Sequence, residues 1–415
     1  MRRAPRVALF ADTFHEVNGA AHTCRQLDAF ARRRGFDFLN VHCGPEEIFE
    51  RAEPHWTLQL KRGPFAFRVD RDLSFDPCLF LRRRNVLAVV RDFAPDLIHV
   101  TSTGDVGILG MWAAHRLRVP VVASWHTNVH EFAARRLEKA LGFLPRSSRT
   151  AAAALAERWI LRCALWFYGK AQAVLAPNQD LARVIAERTG RPVFLMTRGI
   201  DTGVFSPAHR EREGGPLTIG FVGRLTPEKN VRLLARLEET LVAAGAPPFR
   251  LLVVGDGSER AWLQANLRHA EFPGVLRGRD LSRAYAGMDV FAFPSHTDTY
   301  GNVVLEAMAS GVPAVVTADG GPKFLVRPGE TGFVAAGDDE FLSAVRRLAL
   351  DAGERLRMGR AARAHALQFP WDHVFETEVY ATYRIALDRL QWRPAPGKTE
   401  PGNRSFTAPS PDRSL

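Results

Sequence analysis

The chain has 415 residues, more than one hydrophobic core ordinarily serves, so we expect two domains of roughly 150–200 residues each. Hydrophobic residues make up 46% of it, a share that excludes a mainly disordered or fibrous protein. No run of about 18 consecutive apolar residues occurs, so no spanning helix is predicted. The four cysteines (Cys24, Cys43, Cys78 and Cys163) lie far apart, which argues against a zinc site and favours a reducing, cytoplasmic setting.

The net charge of +11 lies entirely in the first half of the chain. Residues 1–200 contain 30 Lys and Arg against 19 Asp and Glu, whereas the remainder contains 26 of each. This asymmetry predicts that the first half meets a different partner from the second. Nucleic acid, an anionic membrane surface and phosphorylated substrates all remain open at this point.

Short β-rich runs alternate with helical patterns along both halves. This alternation predicts an α/β fold with two parallel sheets covered by helices. In the first half the predicted helices are 20–34 and 81–93. The predicted strands are 6–11, 38–43, 97–100, 119–125, 173–176 and 193–197, then 217–222, 250–254, 274–276, 290–293, 314–317 and 332–334.

A Pro- and Gly-rich stretch at 199–216 predicts the boundary between the two halves. We therefore predict one domain over 1–200 and a second over 201–370. After Trp371 a helical pattern runs to about Gln391, so a helix is predicted within 371–392. The tail from 393 to 415 is rich in Pro, Gly, Ser and charge and is predicted to be disordered.

Ligands of open α/β sheets bind beyond the carboxyl ends of the strands, where helices begin. Segments that combine small with polar residues occur there, at 223–230, 255–260, 295–302 and 318–322. In the first of them Arg224 follows Gly223 at a strand end, and Lys229 comes five residues later. Two cations near a helix start suit a diphosphate. The alternative is two solvated surface charges.

Asp298 and Glu306 form a second candidate pair, with seven residues between them. Asn302 is the predicted N-cap of a helix over 303–309, which places Glu306 early in the helix and Asp298 in the loop before it. Carboxylates in a cleft accept hydrogen bonds from vicinal hydroxyls, and the N–H groups beside Gly301 suit phosphate. The alternative is a loop Asp and a Glu that merely stabilises the helix dipole.

The first half offers two comparable positions. Asn18 and Gly19 follow the first strand and open a helix, which is an anion-binding arrangement. His126 directly follows the strand predicted at 119–125, where the carboxyl end of a parallel strand favours a site. The alternative is a structural histidine.

Other motifs are absent or weak. Residues 255–257 lack the third glycine of a dinucleotide fingerprint, and neither a P-loop nor a nucleophile elbow occurs. Asp70 and Asp72 form a D-x-D of the kind that holds Mg²⁺ or Mn²⁺ on a diphosphate, but Arg71 interrupts it, so no metal site is predicted. The apolar stretch 151–168 is either a buried helix or one lying on a membrane surface.

Nine segments together resemble the retaining glycosyltransferases of family 4, which have the GT-B fold of two Rossmann-like domains facing a cleft. The resemblance extends over about residues 5–392 and is nearest to the mannosyl- and glycolipid-forming branches. The segments are 13–19, 124–128, 198–201, 223–230, 255–257, 285–295, 298–311, 313 and 329–332.

The resemblance implies that the second domain binds a nucleotide-sugar donor and that the basic first domain binds the acceptor. Arg224 and Lys229 match the cations on the diphosphate, Glu306 matches the ribose-binding carboxylate, and Asp298 stands where the family has a Glu facing the sugar. His126 matches a histidine near the transferred sugar. The remaining implied donor contacts are Asn18, Gly19, Gly223, Arg277, Gly278, Arg279, Tyr300, Gly301, Asn302 and Val303.

The implied reaction transfers a hexose, with mannose from GDP-mannose favoured, to a lipid-linked or glycan acceptor. Cations and helix-end N–H groups would stabilise the departing diphosphate, so no metal or other cofactor is predicted. Retention of configuration implies that the acceptor attacks the sugar C1 from the same face from which the diphosphate departs. A sugar-nucleotide epimerase or hydrolase and a basic, non-enzymatic binding module stay as alternatives, although no nucleic-acid-binding motif is apparent. Association with the inner face of the cell membrane is a further expectation.

Overall fold

The computed structural model describes residues 3–16, 18–70, 73–128, 136–138, 141–142, 145–211 and 214–391. The first half of the chain forms an eight-stranded sheet that is parallel except for its last strand. From one edge to the other the strands are Val193–Leu195, Ala173–Ala176, Val121–Ser124, Leu97–Val100, Val7–Ala11, Phe38–Gly44, His55–Lys61 and Ile48–Ala52.

The second half forms a six-stranded sheet in which every pair of neighbours is parallel. Its strands, again from edge to edge, are Ala270–Gly274, Phe249–Val254, Leu217–Val222, Val290–Phe293, Ala314–Thr317 and Gly332–Ala335. Two parallel α/β units are therefore confirmed. All carboxyl ends of a parallel sheet lie at one edge, so the polar turns that follow them are brought together.

Helices cover both sheets and bury their apolar faces against them. Helix Gly19–Arg34 shows how the local sequence sets an element's limits: the Asn18 side chain caps its first turn by accepting from the Ala21 N–H at 2.8 Å, and Gly35 ends it at φ 62°. The other principal helices of the described chain are Arg83–Phe93, Asp105–Leu117, Arg146–Tyr168, Gln179–Thr189, Leu233–Ala243, Arg260–Asn266, Gly278–Ala286, Asn302–Ala309, Asp338–Leu350 and Ala352–Ala366.

Two strands of the first sheet escaped the sequence prediction, and one strand of the second was misplaced. His55–Lys61 and Ile48–Ala52 were not predicted, and the strand expected at 274–276 lies at Ala270–Gly274. His55–Lys61 alternates between apolar residues that join an apolar cluster (Trp56, Leu58 and Leu60) and polar residues on its other face, of which His55 and Gln59 are also buried. Both buried polar side chains have polar partners: His55 Nε2 lies 3.0 Å from Asp28 Oδ1, and Gln59 Nε2 donates to the Glu46 carbonyl at 2.9 Å.

The chain returns from the second unit to the first through a continuous helical segment that ends at Gln391. It comprises Trp371–Val374, a π-helical turn at Phe375–Tyr380, and Ala381–Gln391. Its aromatic residues join the apolar cluster on one face of the first sheet. The start of this segment is in direct contact with the linker between the two units. A Cβ at Gly199 would lie only 2.5 Å from Trp371 Cα, so no side chain fits at Gly199.

No helix in the described part of the chain has the length and apolarity that crossing a bilayer requires.

Candidate active site

Lys229 and Asp298 form a close ion pair at the carboxyl edge of the second sheet. Lys229 lies in the turn after Leu217–Val222, and its Nζ donates to both carboxylate oxygens of Asp298 at 2.6 Å. The lysine side chain is 10% exposed and the aspartate side chain 22%. Burial works against the Asp298 charge, but Lys229, Ser295 and Arg224 outweigh it and lower the pKa of Asp298. The Asp298 carboxylate is therefore ionised at neutral pH.

Arg224 follows Gly223 at the end of the same strand and is more exposed than Lys229. Its side chain is 39% exposed and lies 3.6 Å from the Glu228 carboxylate. Its charge also contributes to the lowered pKa of Asp298. The two predicted cations therefore lie at one edge, one of them buried in an ion pair and the other facing solvent.

The helix that follows Asp298 begins one residue earlier than predicted. It spans Asn302–Ala309, and its N-cap is Gly301 at φ 95°, so the assignment of Asn302 as N-cap is wrong. A side chain at Gly301 would be strained by this backbone conformation and by Pro322, whose Cγ would lie 2.9 Å from the Cβ. The unpaired N–H groups of Asn302 and Val303 at this end form an anion-binding arrangement.

Glu306 lies on the second turn of this helix and accepts a hydrogen bond from the Tyr285 hydroxyl at 2.8 Å. Burial raises its pKa to about 7, and the Tyr285 hydrogen bond offsets only part of that rise. The described contacts do not join Glu306 to the Lys229–Asp298 pair. Tyr285 was not predicted as a site residue, and its spacing from Glu306 along the chain carries no local signal.

The two units meet across a narrow gap between these turns. A Cβ at Gly19 would lie 3.0 Å from Asn302 Nδ2, so the first helix of the first unit starts against the helix of the second. Thr299 of the second unit makes two hydrogen bonds to the first unit. Its hydroxyl donates to the His126 carbonyl at 3.1 Å, and its carbonyl accepts from Asn178 Nδ2 at 2.7 Å. Gly19, His126 and the loop carrying Asp298 are therefore neighbours.

A chain of buried hydrogen bonds runs behind His126. Because Arg198 can only donate, His126 Nδ1 accepts from it at 3.2 Å, and His126 Nε2–H then donates to Ser124 Oγ at 2.7 Å. The Ser124 hydroxyl in turn donates to His99 Nε2 at 2.9 Å, and His99 Nδ1–H donates to Tyr383 of the returning helix at 2.7 Å. His126 Nδ1 and His99 Nε2 both accept a hydrogen bond, so both imidazoles are neutral in this arrangement. We call these five residues the histidine chain.

Burial keeps both imidazoles neutral. The pKa of His99 is lowered to about 3 by burial alone. The pKa of His126 is also well below its ordinary value, because of burial first and then the charge of Arg198. Since both ring nitrogens of His126 are engaged, the group that it presents to the second unit is its backbone carbonyl. A direct contact between the ring and a transferred sugar, which the family resemblance implies, stays a prediction.

Arg198 is the residue that links the histidine chain to the second unit. It is 4% exposed and donates to the Met196 carbonyl at 2.8 Å, while its own carbonyl accepts from the Tyr300 hydroxyl at 3.2 Å. No carboxylate within hydrogen-bonding distance is described for it. Sequence reasoning singled out the segment 198–201 only for its resemblance to the family.

The remaining predicted positions lie elsewhere or outside the described chain. Arg277, Gly278 and Arg279 are exposed at the start of helix Gly278–Ala286, after the edge strand of the second sheet and two strands away from Arg224. Arg71 and Asp72, two of the three residues of the D-x-D motif, lie outside the described residues. Within the described residues, no group of three His, Cys, Asp or Glu side chains is arranged to hold a metal ion.

Known proteins resemble this chain along nearly its whole length. The sequence profile described as Glycosyltransferase Family 4 matches residues 17–204, and that described as Glycosyl transferases group 1 matches residues 216–351. A GDP-mannose-dependent alpha-mannosyltransferase of Mycolicibacterium smegmatis is 33% identical, over 94% of this chain and 100% of the relative. Sulfoquinovosyl transferase SQD2 of Arabidopsis thaliana is 29% identical, over 88% of this chain and 71% of that protein.

Solved structures share the fold. Sucrose-phosphate synthase from Thermosynechococcus elongatus superimposes with a TM-score of 0.69 at 19% identity, over 92% of this chain and 99% of the other. HepE of Anabaena, solved with UDP and glucose, superimposes with a TM-score of 0.64 at 19% identity, over 92% of this chain and 100% of HepE. The relatives are transferases, and nothing among them supports an epimerase, a hydrolase or a non-enzymatic binding module. With its two parallel-sheet units of the GT-B type, the chain belongs to glycosyltransferase family 4 and is a hexosyltransferase.

Proposed function

We propose that this enzyme transfers mannose from GDP-mannose to a lipid-linked or glycan acceptor with retention of the anomeric configuration. The observation that carries the proposal is the Lys229–Asp298 ion pair, since the residues that follow Asp298 contact the other unit: Thr299 donates to the His126 carbonyl and Asn302 lies against Gly19. Relatives named as GDP-mannose-dependent mannosyltransferases support the choice of donor.

The chemistry follows from where charge develops. As the bond between C1 and the phosphate oxygen breaks, negative charge builds on the diphosphate, and Lys229, Arg224 and the N–H groups after Gly301 stabilise it. Asp298 accepts hydrogen bonds from sugar hydroxyls. The acceptor oxygen bonds to C1 on the face that the phosphate leaves, and the acceptor's proton passes to the departing phosphate oxygen.

The second unit supplies the donor contacts in this proposal, and the first unit supplies the acceptor side. Glu306 binds the ribose, while Asn18, Gly19, Gly223 and the backbone of Tyr300 contact the diphosphate or the sugar. The turn at 277–279 contacts the base. The excess of positive charge in residues 1–200 supports an acceptor presented at an anionic membrane surface, with the enzyme otherwise cytoplasmic.

A thermal-shift screen with GDP, UDP and ADP tests the donor, because a ligand that binds the native state raises the melting temperature. We expect GDP to give the largest shift. Product analysis by NMR with GDP-mannose and a mannoside acceptor should then show an α-linkage. A larger shift with UDP would contradict the donor assignment, and a β-linked product would contradict retention.

A chelator tests whether a metal takes part. We expect full activity after dialysis against EDTA, because the proposed stabilisation uses cations of the chain itself. Loss of activity that Mn²⁺ restores would contradict this expectation and would make Asp70 and Asp72 the first residues to substitute.

A further inference from the structure

A groove lies between two helices on the outer face of the first unit, away from the residues described above. It has a volume of ≈ 730 Å³ and separates helix Arg146–Tyr168 from helix Gln179–Thr189. Its apolar lining consists of Leu161, Leu165, Trp166 and Val184. Apolar side chains that line an open groove are exposed at a cost in free energy unless something covers them.

Four cations surround this apolar lining: Arg158, Arg162, Lys170 and Arg188. None of them is ion-paired with a carboxylate in the described chain, whereas Arg6, Arg62 and Arg232 of the same protein are. Residues 146–191 as a whole contain eight Lys and Arg against three Asp and Glu. The groove therefore carries uncompensated positive charge around an apolar centre.

The longer helix also exposes large apolar side chains along the stripe that faces away from the sheet. Leu155, Trp159 and Trp166 are 69%, 68% and 67% exposed, while Phe167 and Tyr168 on the opposite side are buried. The Lys170 ammonium lies 4.8 Å from the centre of the Trp166 ring. Tryptophan beside Lys or Arg is the combination found where proteins meet the headgroup level of a bilayer.

We propose that this face binds the surface of an anionic lipid bilayer. Headgroup phosphates lie against the four cations, and Trp159 and Trp166 sit at the level of the headgroups, with the groove lining in contact with the upper acyl chain. An anionic bilayer fits both features of this face. A neutral bilayer would provide no negative charge for the four cations, and a soluble anion would leave the two tryptophan side chains exposed to water. The inference deepens the proposed function, because a lipid-linked acceptor lies in such a surface.

Flotation of the full chain with vesicles tests the proposal. We expect binding to vesicles of equal parts phosphatidylglycerol and phosphatidylcholine and none to phosphatidylcholine alone. Binding should weaken steeply with salt, since surface charge is screened within a Debye length. The emission of the tryptophans should shift to the blue on binding. Equal binding to both kinds of vesicle would overturn the proposal, as would binding to neither.

Two double variants locate the surface. R158E/R162E should weaken vesicle binding by more than about tenfold, since each cation near an anionic surface contributes. W159A/W166A should also weaken it and should abolish the blue shift. The matched control R346E/R360E makes the same charge change at exposed positions of the second unit, for which no partner is described, and should bind like the parent. An equal loss in the control would mean that net charge alone drives binding and would overturn the site.

Donor binding separates this inference from the proposed function. Calorimetry with GDP and turnover on a water-soluble mannoside should be unchanged in both double variants, because the groove lies outside the Lys229–Asp298 region. Vesicle binding without any transfer activity would refute the proposed function and leave the surface intact. Transfer activity without vesicle binding would refute the membrane-binding surface and leave the proposed function intact. Preference for RNA over vesicles at equal phosphate concentration would also overturn the lipid assignment.

Discussion

The two units present different chemistry at the gap where they meet. The second unit brings the ion pair of Lys229 and Asp298, in which the lysine lowers the pKa of the aspartate. The first unit brings neutral imidazoles, His126 and His99, linked to one buried cation, Arg198. A fixed cation stabilises a leaving group whose negative charge grows during the reaction. Hydrogen bonds between neutral groups instead hold side chains in a defined position. We infer that the second unit lowers the barrier and the first sets the geometry.

The difference carries over to pH. The histidine chain contributes stability above the ordinary imidazole pKa of about 6.5, and this is lost as the pH falls toward 3, because the unfolded chain binds protons that the folded chain does not. Glu306 acts in the opposite direction. Its folded pKa of about 7 lies above the unfolded value of 4.5, so its protonation favours the folded state at low pH, and stability falls as the pH rises from 4.5 to 7.

Removal of the buried lysine should have the largest effect. Lys229→Ala takes away the cation nearest the proposed diphosphate and leaves Asp298 partly buried without its partner, so kcat/KM should fall by about a thousandfold or more. Steady-state kinetics measures this loss, and a melting curve checks that the fold persists. A rate within threefold of the parent would refute the role of the ion pair.

Removal of the exposed cation should cost less. Arg224→Ala should lower kcat/KM by about a hundredfold, because a charge that is 39% exposed acts through a higher dielectric than Lys229 does. Glu228→Ala is the matched control: it removes the described ion-pair partner of Arg224 and should leave the rate nearly unchanged. If both variants lose activity equally, the ion pair, and not the Arg224 cation, is what matters.

Interruption of the histidine chain should change turnover by about tenfold. Ser124→Ala leaves both His126 Nε2–H and His99 Nε2 without their partner and should cost about 1–3 kcal/mol of stability. The affinity for GDP, measured by calorimetry, should hardly change, because the donor contacts lie on the second unit. Tyr383→Phe is the milder comparison, since it removes only the last acceptor. A loss of GDP affinity as large as the loss of turnover would contradict the division of roles.

Neutralisation of Glu306 should change the free energy of unfolding by an amount that depends on pH. Glu306→Gln keeps an oxygen that accepts from Tyr285 but removes a charge that burial disfavours, so stability at pH 8 should rise by about 1–3 kcal/mol. At pH 4, where the parent carboxyl is protonated, the two proteins should match. Urea melts at both pH values measure the difference, and an equal gain at pH 4 would exclude the carboxylate charge as its cause. GDP affinity should fall if Glu306 binds the ribose.

Much of the fold could be predicted because its signals are local. Apolar runs of strand length and helical periodicity predicted two parallel sheets and the returning helix to Gln391. The strand His55–Lys61 was missed because its buried polar residues depend on Asp28, which is distant in sequence. The start of helix Asn302–Ala309 was misjudged by one residue because Gly301 takes a positive φ that its neighbours do not encode.

The amino-acid sequence by itself determined most of the helices and strands, the family and the types of charged residue at the strand ends, since these are encoded in local runs of residues. The tertiary structure decided the partners. Lys229 and Asp298 are 69 residues apart, His126 and Arg198 are 72 apart, and His99 and Tyr383 are 284 apart. Such contacts form only when the sheet edges and the returning helix come together in the folded protein. The hydrophobic periodicity of the sequence therefore does not predict them. Whether a histidine is neutral or a lysine is paired follows from that burial.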